Sequence, residues 1–183
     1  MTPSELFDKC ISGPWQTSGD DVQWKTWEQD GKRYIAFEAV GNMKEYAMAL
    51  KLWPDTWMGW LAHAGYVNHL WSWIEDTYLT SKPTVLCGYS LGGSLAVLLA
   101  QYMGNACIEV ITFGAPRCYF AGMKSRAKIT RYEMRGDPVP HLPFAIFGYK
   151  HIGDRVKLGK PSIFNPEKHQ YPVYAETLKC LPK

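Results

Sequence analysis

The chain has 183 residues, 46% apolar and 20% charged, with a formal net charge of +3, a balance that places it among ordinary globular proteins. So small a charge, with no long Lys/Arg run, excludes nucleic acid as an expected partner. The lack of any stretch near 18 consecutive apolar residues excludes a membrane span. The length suits a single domain over residues 1–183, burying roughly 70% of its unfolded surface without staples.

Met1-Thr2-Pro3-Ser4-Glu5 carries neither the basic start nor the apolar run of a signal peptide. The expected location is therefore soluble and cytoplasmic, with secretion by another route left open. Residues 23–28 and 33–38 read as two strands around an Asp30-Gly31 turn. The Trp- and Met-rich stretch from Met43 to Trp60 has no clean period, and two readings compete for it. One is core covering the sheet; the other is a short lid or acyl-pocket segment within 41–62 that touches a lipid surface, where Trp is favoured. Trp15, Trp24, Trp71 and Trp73 read as packing residues. From His63 to Thr80 the spacing of Val67, Leu70, Trp71, Ile74 and Tyr78 predicts a helix.

Thr84 to Cys87 predicts a buried strand, and Ser94 to Met103 a helix stopped by Gly104-Asn105. Between them lies Gly88-Tyr89-Ser90-Leu91-Gly92. Strand, G-x-S-x-G and helix in that order form a nucleophile elbow, a turn too sharp for side chains at its glycines. It raises the Ser90 hydroxyl at a helix N-terminus, where the Leu91 N–H and the helix dipole face developing negative charge. Further strands are predicted at 108–113 and 128–134, with a short helix or turn at 117–125. Short strands follow near 149–151 and 155–158, and a last helix near 174–179. Alternation of strand and helix from 63 to 134 implies an α/β fold whose mostly parallel sheet is covered on both faces. Five cysteines, an odd number without metal-site spacing, fit a reduced protein. Cys87 reads as a buried strand thiol, and Cys10 would pair with Cys180 only if the termini meet.

A serine nucleophile on this framework needs an acid and a histidine later in the chain, in that order. Asp137 ends the strand at 128–134 inside a Gly-Asp-Pro turn. Three histidines follow. His141 is four residues on in a Pro-bracketed loop, too close to reach around. His151 falls in a strand, where a hydrogen-bonded packing role is expected. His169 sits in a polar loop before the last helix, so position favours it, with His151 the alternative.

Four separated segments, together with the elbow, resemble the class 3 lipase family, the fungal-type triacylglycerol lipases with an α/β-hydrolase fold. They are Tyr34-Ile35-Ala36-Phe37; His63-Ala64-Gly65-Tyr66; Thr112-Phe113-Gly114-Ala115-Pro116-Arg117; and Gly136 to Pro143, followed by Gly148-Tyr149-Lys150-His151-Ile152-Gly153. The resemblance spans about residues 33–175. It implies Ser90 as nucleophile, Asp137 as acid and His169 as base, with His151 a non-catalytic residue. Oxyanion donors would be the backbone N–H groups of Leu91 and Val40. Glu38-Ala39-Val40 departs from the family's R-G-[ST], so Val40 brings no hydroxyl and Gly41 offers an alternative N–H. A long lid or N-terminal helix is expected to be reduced. The implied activity is ester hydrolysis on acylglycerols or other lipid esters, at a lipid–water interface, without metal or cofactor and with no evident protein partner. A short-chain esterase or acyltransferase on the same triad, and an inactive lipid- or partner-binding module, are the rival readings.

Overall fold

The computed structural model describes residues 1–18, 22–38, 53–76, 81–120 and 122–181. The chain opens with helix α1 (Pro3–Ile11). Thr2 caps it, accepting from the Glu5 N–H while the Glu5 carboxylate accepts from the Thr2 N–H, a capping box that satisfies two end groups at once. The helix is nine residues long. Strands β1 (Gln16–Ser18), β2 (Val22–Gln29) and β3 (Lys32–Phe37) run antiparallel. Asp30 and Gly31 both take positive φ (53° and 72°) between β2 and β3, the geometry a two-residue hairpin turn requires.

From β3 the sheet becomes parallel. It continues through β6 (Thr84–Tyr89), β7 (Cys107–Phe113), β9 (Lys128–Met134) and β11 (Asp154–Leu158), giving the order β1-β2-β3-β6-β7-β9-β11 among the described residues. Side chains alternate between two cores, as the period of two demands. Ile35, Phe37 and Leu86 pack with helices α2 (Ala64–Asp76) and α3 (Leu91–Met103) on one face. Tyr34, Ala36, Val85, Cys87 and Tyr89 pack with α1 and α4 (Tyr171–Lys179) on the other. Helix α3 is buried at every position from Leu91 to Ala100, the mark of a helix inside the protein rather than on it.

A smaller sheet stands beside the first, in the order β10-β8-β5-β4. It joins β4 (Pro54–Trp57) and β5 (Trp60–His63) to the two-residue strands β8 (Tyr119–Phe120) and β10 (Tyr149–Lys150). Residues 117–125 thus contribute a strand, not the expected helix or turn. The Trp-rich stretch divides: Trp57 is fully buried and its indole N–H donates to Leu98 O at 2.9 Å, whereas Trp53 is 78% exposed. Its first part, residues 43–52, lies outside the described residues. Trp24 and Trp73 are core residues, while Trp71 is partly exposed against Trp57 and Tyr102. All five cysteines are free; Cys10 is buried and Cys180 exposed, so the two do not pair.

Candidate active site

Strand β6 ends at Tyr89, and Ser90 follows with φ 54° and ψ −128°. That conformation costs a non-glycine residue on the order of 1–3 kcal/mol. Packing on both sides holds it. The Ser90 N–H donates to Phe113 O on β7 at 2.8 Å, and α3 begins immediately at Leu91, whose N–H is one of the helix's first-turn donors. A Cβ on Gly92 would lie 2.3 Å from Phe37 O and 2.5 Å from Glu38 O. Only glycine lets the helix start pass that close to the end of β3.

Seventy-nine residues after Ser90 the chain returns with His169, whose Nε2 is 2.8 Å from Ser90 Oγ. Its Nδ1 is 2.8 Å from Asp137 Oδ2. Since an ionised carboxylate only accepts, Nδ1 carries the proton and Nε2 is left to accept from the serine hydroxyl. The ring stacks on Tyr89, with centroids 5.1 Å apart. His169 ends a 3-10 turn (Pro166–His169) in which the Asn165 side chain accepts from the Glu167 N–H, and Asn165 N–H donates to Gly136 O at 2.8 Å. The histidine loop is thereby tied to the turn carrying the acid.

Asp137 is 1% exposed. Oδ1 accepts from the Val139 N–H at 2.9 Å, and Oδ2 accepts from the Tyr174 hydroxyl at 2.7 Å as well as from His169. The Tyr174 oxygen in turn accepts from the Met134 N–H at 3.0 Å. Burial, with the Asp137 charge beside it, pushes the Tyr174 phenol well above its usual range, so it stays protonated and donating. Three donors thus meet one buried carboxylate and satisfy its oxygens away from water.

The structure brings Ser90, Asp137 and His169 together and leaves the other two histidines elsewhere. The His141 ring meets Phe164 at a 59° tilt with centroids 4.9 Å apart, and burial lowers its pKa. His151 lies behind the acid loop, with Nε2 2.6 Å from Pro140 O. Burial, reinforced by Arg131, pushes its pKa down to about 3. Val40 and Gly41, expected beside the oxyanion, lie outside the described residues. Among the described residues no group of three or more His, Cys, Asp or Glu side chains could hold a metal ion. No helix there is long and apolar enough to cross a membrane. Sequence reasoning missed Tyr174 and Tyr89; only the general Tyr-rich character of 171–174 hinted at the first.

Comparison with known proteins matches the chain to a family. A curated relative, secreted mono- and diacylglycerol lipase 1 of Fusarium solani, is 35% identical over 82 residues, which is 39% of this chain and 25% of that protein. Its name describes a secreted protein and lends the cytoplasmic expectation no support. Among solved structures, the lipase of Rhizopus microsporus var. chinensis superposes with TM-score 0.68 at 21% identity, over 81% of this chain and 61% of that one. The Rhizomucor miehei lipase in complex with its propeptide gives 0.64 at 20% identity, over 81% and 56%. Both share the α/β-hydrolase fold. The chain spans a quarter of the curated relative and about three fifths of these structures. The class 3 lipase family model matches residues 31–147, a span holding β3, the elbow and the acid turn, and with that match the chain belongs to the class 3 lipase family.

Proposed function

We propose that this chain is a serine carboxylester hydrolase that cleaves acylglycerols or other lipid esters, carried by a single domain over 1–183. One observation carries the reading: the unbroken hydrogen-bond line from Ser90 Oγ through His169 to Asp137, at 2.8 Å in both links. In the proposed reaction His169 Nε2 takes the hydroxyl proton as Ser90 Oγ bonds to the ester carbonyl carbon. The oxyanion that forms accepts from the Leu91 N–H, with Val40 assigned as the second donor. Collapse expels the alcohol, which receives the proton from His169. Water then repeats the cycle on the acyl-enzyme and releases the acid. Asp137 holds the imidazole and stabilises its charged form.

The surface beside the triad supports a lipid substrate. Leu142, Phe144, Ile146 and Phe147 follow the acid, Ile163 and Phe164 precede the histidine, and all six are exposed. The His141–Phe164 contact and the Asn165–Gly136 bond join the two loops. Exposed apolar side chains gathered on two joined loops suit contact with another apolar phase.

Hydrolysis of p-nitrophenyl esters from acetate to palmitate tests the reading, with Ser90→Ala alongside. Turnover that disappears in the variant, with an optimum at medium or long chains, is the expected result. An optimum at acetate would favour the short-chain esterase reading, and equal background rates for both proteins would leave the binding module in front.

A further inference from the structure

Segment 138–143 is rich in proline (Pro138, Pro140, Pro143). Proline lacks a donor, so such a segment cannot join a sheet ladder, and its carbonyls need partners from elsewhere. Here four consecutive carbonyls find them in two residues. Pro140 O accepts from His151 Nε2 at 2.6 Å. His141 O and Pro143 O both accept from one Arg117 guanidinium nitrogen, the latter at 2.9 Å, and Leu142 O accepts from the Arg117 backbone N–H at 2.6 Å. The donors come from two motifs to which the reaction assigns no role: Thr112–Arg117 and Gly148–Gly153.

Behind the segment lies a charge cluster, centred on the buried Arg131 and Glu133, that His151 adjoins. Arg131 pairs with Glu133 on β9, and Glu133 Oε1 is 3.7 Å from His151 Nε2. Arg155 approaches Glu133 Oε2 from β11 at 3.9 Å. Neutral His151 can contact a carbonyl oxygen through Nε2 only by donating, which assigns its tautomer.

We propose that Arg117 and His151 are positioning residues: together they clamp the carbonyls of 140–143 and so hold the Asp137 turn with its carboxylate facing His169. The inference rests on the triad reading of Ser90, Asp137 and His169. Neither residue touches the reacting atoms. Arg117 closes the far end of the loop and His151 its middle, while the carboxylate's own bonds to Val139, Tyr174 and His169 close the near end. With the clamp removed, the carbonyls of 140–143 lose the donors that hold them, and the Asp137 turn can shift by a fraction of an ångström.

The test compares Arg117→Met and Arg117→Lys, and His151→Leu and His151→Gln, in the whole chain. Gln can present its amide N–H where the imidazole Nε2–H stood, whereas Leu cannot. Lys keeps the charge but cannot reproduce the planar fork of Arg. On a soluble ester, Arg117→Met and His151→Leu are expected to lower kcat about 10- to 100-fold with KM within about twofold, as misplacement of a catalytic group does. His151→Gln is expected to recover most of the native rate, and Arg117→Lys to fall between native and Arg117→Met. Proton NMR gives a readout independent of turnover: the far-downfield resonance of the His169 Nδ1 proton bonded to Asp137. It should persist in His151→Gln and shift or vanish in His151→Leu and Arg117→Met, at temperatures where circular dichroism shows each variant folded. Unchanged kcat and an unchanged resonance overturn the proposal, as does His151→Gln behaving like His151→Leu. A native protein without Ser90-dependent turnover, but whose resonance still depends on Arg117 and His151, would sink the ester-hydrolase reading and leave the clamp standing.

Discussion

Ser90, Asp137 and His169 were each legible because local chemistry announces them: a glycine-flanked turn, a Gly-Asp-Pro strand exit and a polar loop before a helix. Tyr174 announces nothing locally. Its hydroxyl reaches Asp137 only because α4 folds back over the end of β9, a long-range fact that no window of sequence contains. Tyr174→Phe should cost about 1–3 kcal/mol of stability, since the buried Met134 N–H loses its acceptor. We also expect kcat to drop roughly tenfold, about 1.4 kcal/mol in the barrier. Urea melts and initial rates on one protein preparation check both, and a stability loss with native kcat would reduce Tyr174 to a packing role. Gly114 makes a second case. With φ at 62°, a Cβ there would come 2.9 Å from the Tyr174 oxygen and 3.1 Å from His169 Cε1. Gly114→Ala should therefore impair turnover more than its distance from Ser90 in sequence suggests, which the same rate assay reads.

Strand β6 and α3 were readable because their apolar runs exceed what chance alternation supplies, whereas β9 shows a period of two in its burial, with the charged Arg131 and Glu133 among the buried positions. Of the second sheet, β10 was legible as the short strand near 149–151. Strand β8 was not: it is two residues long, too short to display a period, and its partners β10 and β5 lie some thirty and more than fifty residues away in sequence. Helix α1 carried a readable signal, Thr2-Pro3-Ser4-Glu5, a cap and capping-box glutamate with proline at the first helical position. The residues were read only against a signal peptide, and the cap went unused. The helix is more than a cover: Phe7, fully buried, meets the rings of Phe113 at 4.9 Å, Tyr89 at 5.5 Å and Tyr174 at 5.9 Å. Truncation of such a residue costs about 3–5 kcal/mol, and we expect Phe7→Ala to lower Tm by roughly 10 °C, given about 2–4 °C per kcal/mol for a chain of this size. Calorimetry of the two proteins decides it; a shift under two degrees would mean that α1 docks loosely.

Across the whole molecule, acid sensitivity follows from the burial of a neutral histidine. His151 titrates near 3 when folded and near 6.5 when unfolded. Between those values the unfolded chain binds the extra proton, so stability falls as pH is lowered. The contribution is fully present above about pH 6.5, is lost progressively toward pH 3, and is on the order of a few kcal/mol. His151→Gln should flatten the stability–pH curve across that window relative to the native chain, as denaturant melts at pH 7, 5 and 4 would reveal; parallel curves would exclude His151 as the source. At the same scale, the apolar rim at Phe144, Ile146, Ile163 and Phe164 should matter for aggregated substrate alone. Ile146→Ser with Ile163→Ser is expected to reduce hydrolysis of emulsified acylglycerol several-fold and leave a soluble acetate ester unchanged; equal effects on both would detach the rim from lipid binding.

The placement of α1 and α4 under the triad has a consequence for how the protein comes into being. The serine turn can form once β6, β7 and α3 have met, but its partner histidine is translated 79 residues later. The tyrosine that holds the acid comes later still, on a helix that packs against the one at the opposite end of the chain. Emergence of α4, and its closure on α1, therefore precedes completion of the hydrogen-bond line from Ser90 through His169 to Asp137. A polypeptide cut before residue 166 would hold the serine turn with no imidazole beside it.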